Sequence, residues 1–389
     1  MSSSTLSRRG KKKRKEQPPL TRQQIDTNRI IRPDYADPAY AALAQTAQNL
    51  WRNSEWGADG RYSESGLCLT AEAGREDYVT KSLSNVRALN ALQREQEQHS
   101  QNGSDVNRSG NAPTKDKAIK VLRSNAEIRR ITRTGGASGT SGYLNPSSGW
   151  ADAEAAMRYL HQLVLSVNRV NFVTARVIRL SINHHTSAAT GALLSTGETL
   201  TADLTLVAAG AWTPSLLDLR GIASATGQVL AYLDLSPQEQ ADLAGGPVQL
   251  NMSTGLFVIP PHNRVLKVAR HGYGYVNPVR IPHPEDPEGE VWGEKDIVVS
   301  LPRTKQDDPG LWIPREGEEA CRRALRELVP SVAERGFSYS RICWYTDTPR
   351  GDFLITYHPR YGRSLFVATG GMSAQCEGCR KTEDSCSYY

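Results

Sequence analysis

Lys267 and His271 stand four residues apart in Val265-Leu266-Lys267-Val268-Ala269-Arg270-His271. In an extended chain that spacing puts both on one face. An ammonium flanked by apolar residues is costly to bury unless something uses its charge, although a lysine on an edge strand can also snorkel to water. Cys343, alone between Ile342 and Trp344, is either an inert core thiol or a residue with a special role. Arg29 and Arg32, in Asn28-Arg29-Ile30-Ile31-Arg32, each offer two parallel donors that suit a carboxylate; surface arginines otherwise serve solubility. In Ala208-Ala209-Gly210-Ala211-Trp212-Thr213 the small side chains would let a flat ligand approach the backbone at the carboxyl edge of a sheet, or let a strand pack tightly on a helix. Cys376 and Cys379 form a C-x-x-C with Cys386 beyond. Zinc asks for four ligands and no second pair or histidine cluster is near, so no metal site is expected.

The elements that would position these residues read as alternating helix and strand. Asp37 as N-cap and Pro38 at the first turn open a helix carrying Leu43, Ala47, Leu50 and Trp51 and ending before Gly57. Residues 152–167 read as a helix with Met157, Leu160, Val164 and Val167 on one face, followed by a strand over 170–177 and a hairpin around Thr196-Gly197. Residues 204–210 and 365–371 read as buried strands of a parallel sheet, each running into small residues. Strands are also expected over 265–269 and 353–355, and a proline-containing surface loop over 282–295. Residues 93–117, rich in Gln, Glu, Ser, Asn and Gly, read as a disordered insertion.

Five blocks in one order resemble the flavin-dependent amine oxidases of the sarcosine oxidase, L-pipecolate (saccharopine) oxidase and fructosyl amino acid oxidase group. They are Thr134-Gly135-Gly136-Ala137-Ser138-Gly139-Thr140-Ser141-Gly142-Tyr143-Leu144-Asn145, then Ser148-Gly149-Trp150-Ala151-Asp152-Ala153-Glu154, then Gly210-Ala211-Trp212, then Arg341-Ile342-Cys343-Trp344-Tyr345-Thr346-Asp347-Thr348-Pro349, then Phe353-Leu354-Ile355 with His358-Pro359. The resemblance implies FAD bound covalently through Cys343, a link that anchors the flavin and shifts its potential. It makes Lys267 the lysine beside the flavin, whose charge stabilises the superoxide and peroxide that form as the reduced flavin meets oxygen. It also places Arg29 by the ring, Arg32 on the substrate carboxylate and His271 in the substrate pocket. Val177 would meet the adenine, and Ala209, Gly210, Trp212, Gly370 and Gly371 would complete the cofactor site. The fructosyl-amine enzymes carry an acidic residue at the position of His271, so a small secondary amino acid, such as sarcosine, pipecolate or saccharopine, is the expected substrate. The implied reaction oxidises its C–N bond to an imine and releases hydrogen peroxide. Cys343 and Lys267 are expected on opposite sides of one ring-shaped hollow.

The implied fold is α/β with α+β: an incomplete, glutathione-reductase-like FAD-binding domain (26–80, 147–217 and 343–371) interleaved with a mostly antiparallel substrate domain (81–146 and 218–342). Residues 1–25 and 372–389 are expected to be tails, because the glycine-rich dinucleotide turn of such folds and the family's closing Ser-Gly-His-Gly-Phe-Lys segment have no counterpart here. A truncated product is therefore expected, and an inactive relic of the fold or a fructosyl amino acid oxidase are the alternatives.

Length and composition agree with this reading. A chain of 389 residues suits two interlocked domains, and the 38% hydrophobic and 23% charged shares, without a long apolar run, describe a protein with no membrane partner. Six scattered cysteines without a signal segment point to an intracellular compartment, cytoplasmic or peroxisomal, although Ser387-Tyr388-Tyr389 is no peroxisomal address. Much of the net charge of +6 lies between Arg8 and Lys15. No aromatic residue is interleaved there to stack on bases, so nucleic acid is not an expected partner. A monomer that takes a secondary amine and oxygen is expected.

Overall fold

The largest sheet is built around β11 (Ser224–Asp234), whose residues are buried on both faces almost throughout, as a strand covered on two sides must be. In the computed structural model, which describes residues 27–101, 118–370 and 387–388, this sheet has the order β17 (Tyr339–Asp347), β11, β14 (Val265–Val276), β13 (Leu256–His262), β12 (Val248–Asn251), β3 (Leu67–Ala71), β5 (Ser141–Asn145), β4 (Lys120–Leu122). β20 (Ser387–Tyr388) runs parallel to the end of β14. Apart from that contact and the parallel β12–β3 pair, the ladders are antiparallel.

Alternation along β11 divides the core. Val229, Ala231 and Leu233 face α6 (Arg315–Leu328), whose Cys321, Ala324, Leu325 and Leu328 recur at helical spacing and are buried. Glu316 and Glu318 in the first turn of α6 and Arg326 in the last suit the helix dipole. Leu230 and Tyr232 face the other way, toward Ala269 and Cys343. Leu325 is fully buried, and Leu325→Ala should cost about 2–5 kcal/mol, read as a lower urea midpoint with an unchanged slope.

Smaller sheets flank this one. β1 (Asn28–Ile31) lies antiparallel to β6 (Gly149–Asp152), which also pairs β2 (Tyr62–Ser63). β10 (Thr205–Val207) runs parallel to β19 (Gly362–Thr369), which pairs β18 (Leu354–His358) antiparallel. β7 (Val177–Asn183), β8 (Ala188–Leu194) and β9 (Thr199–Thr201) form a meander, and β15 (Pro278–Pro282) pairs β16 (Asp296–Ser300). Helices α1 (Pro38–Asn53), α2 (Asp77–Gln101), α3 (Asn125–Thr132), α4 (Ala153–Val167) and α5 (Pro237–Ala244) connect the sheets.

Several local expectations hold. Asp37 caps α1 by accepting from the N–H groups of Ala39 and Tyr40, and the β8–β9 hairpin turns at Gly197 with positive φ. Others fail for identifiable reasons. Residues 93–101 are not an irregular insertion but continue α2; a polar sequence can extend a helix whose first turns are already packed. Residues 169–176 are irregular and largely exposed rather than a strand, since none of the described strands runs beside them. In β10 only Val207 is buried, while Leu204 and Leu206 are exposed, so this element is an edge and not an interior strand. The apolar face of α4 is likewise open at Met157 and Val167. The 282–295 loop is rooted rather than superficial: His283, Glu285 and Asp286 are buried, with Glu285 accepting from the Asp218 N–H and the Tyr361 hydroxyl. The basic run 8–15, the C-x-x-C pair and Gly371 lie outside the described residues.

Candidate active site

β11 acts as a ruler for its two neighbours. Tyr232 is paired with Lys267 on one side and Tyr339 on the other; Leu230 with Ala269 and Arg341; Gln228 with Cys343. Lys267, Arg341 and Cys343 therefore share one face of one sheet. The pairing places Cys343 four residues along β11 from the level of Lys267, about 13 Å at strand rise. The two residues stand at the ends of one wall, not on opposite sides of a hollow. Arg29, from facing β1, lies between them, its Nη2 3.9 Å from the Cys343 sulfur.

Lys267 is no edge lysine. β14 is flanked by β11 and β13, the side chain is 2% exposed, and Nζ donates to the Asn28 carbonyl at 3.0 Å. Burial, with the nearby charges of Arg29 and Arg341, holds its pKa well below the ordinary lysine value. His271 follows on the same strand. Its N–H donates to the Gly255 carbonyl, and its ring lies 5.6 Å from that of Tyr345. Gly255 has φ +70°, and a Cβ there would meet the His271 oxygen at 1.7 Å, so the close approach that sets His271 requires glycine.

Arg32 is buried beside β1. Its guanidinium lies over the Tyr35 ring at 4.4 Å and donates from Nη2 to the Tyr78 hydroxyl, while Nη1 is buried without a hydrogen-bond partner. Behind it is Asp34, fully buried, which accepts from Tyr143 at 2.9 Å, from the Asn145 amide and from the Ser148 hydroxyl. Burial raises the Asp34 pKa; the Ser148 bond, the Arg32 charge and the Asn145 and Tyr143 bonds oppose the rise. For Arg32, burial works against the charge, and the attraction of Tyr78, Tyr35 and Asp34 outweighs it, so its pKa is raised. An orphaned guanidinium nitrogen with a carboxylate behind it is a prepared anion site.

Arg29, Arg32, Lys267 and His271 all line one cavity of about 450 Å³. Cys343 is not on that lining and is reached through Arg29. The remaining candidates lie elsewhere. Ala209, Gly210 and Trp212 follow β10 and Gly370 follows β19, so they gather at the carboxyl ends of the parallel pair, where the Thr369 hydroxyl approaches the Gly210 carbonyl at 3.4 Å. Val177 is exposed at the start of β7. Asp34, Tyr35 and Tyr78 escape a reading of the sequence. Tyr143, Asn145 and Ser148 stand in the motif blocks, yet only coordinates show that they converge on Asp34.

The residues at the wall suit the ring end of a flavin: apolar Leu230, Phe257 and Ile259, basic Arg29 and Lys267, and an unpartnered Oδ1 of Asn28, with no Asp or Glu on the lining. Among the described residues no group of His, Cys, Asp and Glu could hold a metal ion, and no helix is long and apolar enough to cross a membrane.

Comparison with known proteins agrees with this chemistry. The family model described as FAD dependent oxidoreductase matches residues 22–374. Amino acid oxidase imqH of Aspergillus flavus is 31% identical, the alignment covering 89% of this chain and 77% of that protein. L-saccharopine oxidase of Schizosaccharomyces pombe is 26% identical over 89% of this chain and 75% of its own. Among solved structures, a thermally stable mutant of fructosyl peptide oxidase superposes with a TM-score of 0.70 at 20% identity, covering 92% of this chain and 77% of that one. That likeness shows the fold.

Proposed function

The chain belongs to the FAD dependent oxidoreductase family, and from that premise we propose that it oxidises the C–N bond of a secondary amino acid to an imine, acting as a monomer with oxygen as second substrate and hydrogen peroxide as product. The observation that carries the reading is the buried, unpartnered Nη1 of Arg32 on the same cavity as buried Lys267.

FAD, when bound, would supply a two-electron acceptor for the carbon next to nitrogen. The chain's own residues do the rest. Arg32 binds the carboxylate and fixes its orientation, its guanidinium anchored on the Tyr78 hydroxyl and attracted by the Asp34 charge. His271 and Tyr345 close the far side and limit where the amine can lie. Lys267 and Arg29 set positive charge where electrons arrive and leave. Ala209, Gly210, Trp212, Gly370 and Gly371 would hold the nucleotide part and Val177 the adenine, a set supported by the gathering of four of them at one sheet edge.

Covalent attachment through Cys343 is the sharpest part of this proposal. Purified protein should keep its yellow colour in the acid precipitate, and Cys343→Ala should release it to the supernatant. A colourless chain after incubation with FAD would favour the inactive relic.

A further inference from the structure

The oxidase reading leaves the substrate's side chain open, and, resting on that reading, we infer that it is aromatic: the cavity takes a secondary amino acid with one carboxylate and an aryl side chain. A row of rings leads from the anion site to the surface. The Arg32 guanidinium covers Tyr35, the Tyr35 ring is 6.4 Å from Tyr40 at 42°, and Tyr40 is 5.5 Å from Phe353 at 60°. Those spacings are the ones aromatic groups prefer, and exposure rises along the row, from 6% at Arg32 to 43% at Phe353.

A carboxylate seated on Arg32 has its neighbouring substituent against this row. Aryl groups gain there by burial and by edge or face contact. A sugar chain would give up water to rings that return few hydrogen bonds. A second ammonium finds no carboxylate on the lining. Asp352, beside the outer part of the row, already accepts from the Tyr40 hydroxyl and faces Arg350.

The test is calorimetric titration of the full chain with three carboxylates that offer no C–N bond to oxidise: 3-phenylpropanoate, propanoate and glutarate. 3-Phenylpropanoate should bind at least about tenfold tighter than propanoate, with glutarate no tighter than propanoate. Phe353→Ala and Tyr40→Ala should shrink that ratio while propanoate binding holds, and Tyr40→Phe should preserve it. If Tyr40→Ala does not fold, Phe353→Ala at the exposed mouth decides. A ratio near one, a preference for glutarate, or no binding by a folded chain would overturn the inference. Oxygen consumption with N-methylphenylalanine separates it from the oxidase reading. Binding of 3-phenylpropanoate without oxygen consumption would sink the oxidase and keep the aryl site; oxidation of sarcosine or pipecolate with no phenyl preference would do the reverse.

Discussion

Arg32→Met should weaken carboxylate binding by roughly 30- to several thousand-fold, the range for removing one partner of a buried, hydrogen-bonded charge pair. The loss should fall mainly on KM, because the carboxylate is held alike before and during reaction, and Arg32→Lys should restore only part of it, since an ammonium lacks the two-donor fork. A second readout separates this from general damage. Burial raises the pKa of Asp34 above 3.8, with Arg32 among the groups opposing the rise. A carboxyl group raised on folding contributes stability that is full below its unfolded value and is lost as pH rises through its folded value. Without Arg32 that rise is larger, so Arg32→Met should lose more stability than the parent as pH rises above about 4. Parallel stability curves would show that Asp34 and Arg32 are not coupled, and unchanged KM would remove Arg32 from the carboxylate.

Lys267→Met should slow the oxygen half-reaction by about 10²–10³, the usual effect of removing one preorganised charge-stabilising group, with little change in the anaerobic step. Stopped-flow mixing of the reduced enzyme with oxygen reads this directly. The same change should stabilise the fold near neutrality. Burial, Arg29 and Arg341 depress the Lys267 pKa well below 10.5. A depressed lysine contributes its stability above its unfolded value and loses it as pH falls through the folded one. Methionine carries no such penalty, so the variant's thermal midpoint should exceed the parent's at pH 7, the gap closing toward pH 10.5. A variant that is both less stable and equally reactive with oxygen would refute the role of this ammonium.

The sequence made the wall of the site legible to an unequal degree. Strand alternation suffices to join Lys267 to His271, because both lie on β14. Cys343 and Arg29 are 314 positions apart, and only the family resemblance associates them. Asp34 is invisible for a different reason: a lone Asp after Pro33 looks like a turn residue until Tyr143, Asn145 and Ser148 from β5 and its following turn close around it. Helix caps such as Asp37 are read correctly because the hydrogen bonds are local. Residues 170–176 are misjudged as a strand, and 204–210, though paired in parallel with β19 as expected, are misjudged as buried, because strand propensity and apolar content do not say whether a neighbour is present to pair or cover them. Residues 93–101 err the other way, helix propagating from packed turns into a sequence with no apolar face.

Among the described residues β10 is hydrogen-bonded on one side only, to β19, and exposed Leu204 and Leu206 flank its other row of amide and carbonyl groups. Such a row is a template for any extended chain that meets it. Colloidal behaviour at high concentration therefore depends less on the active site than on what caps this short ribbon, and a charge placed at position 206 would act as a gatekeeper against strand-on-strand association.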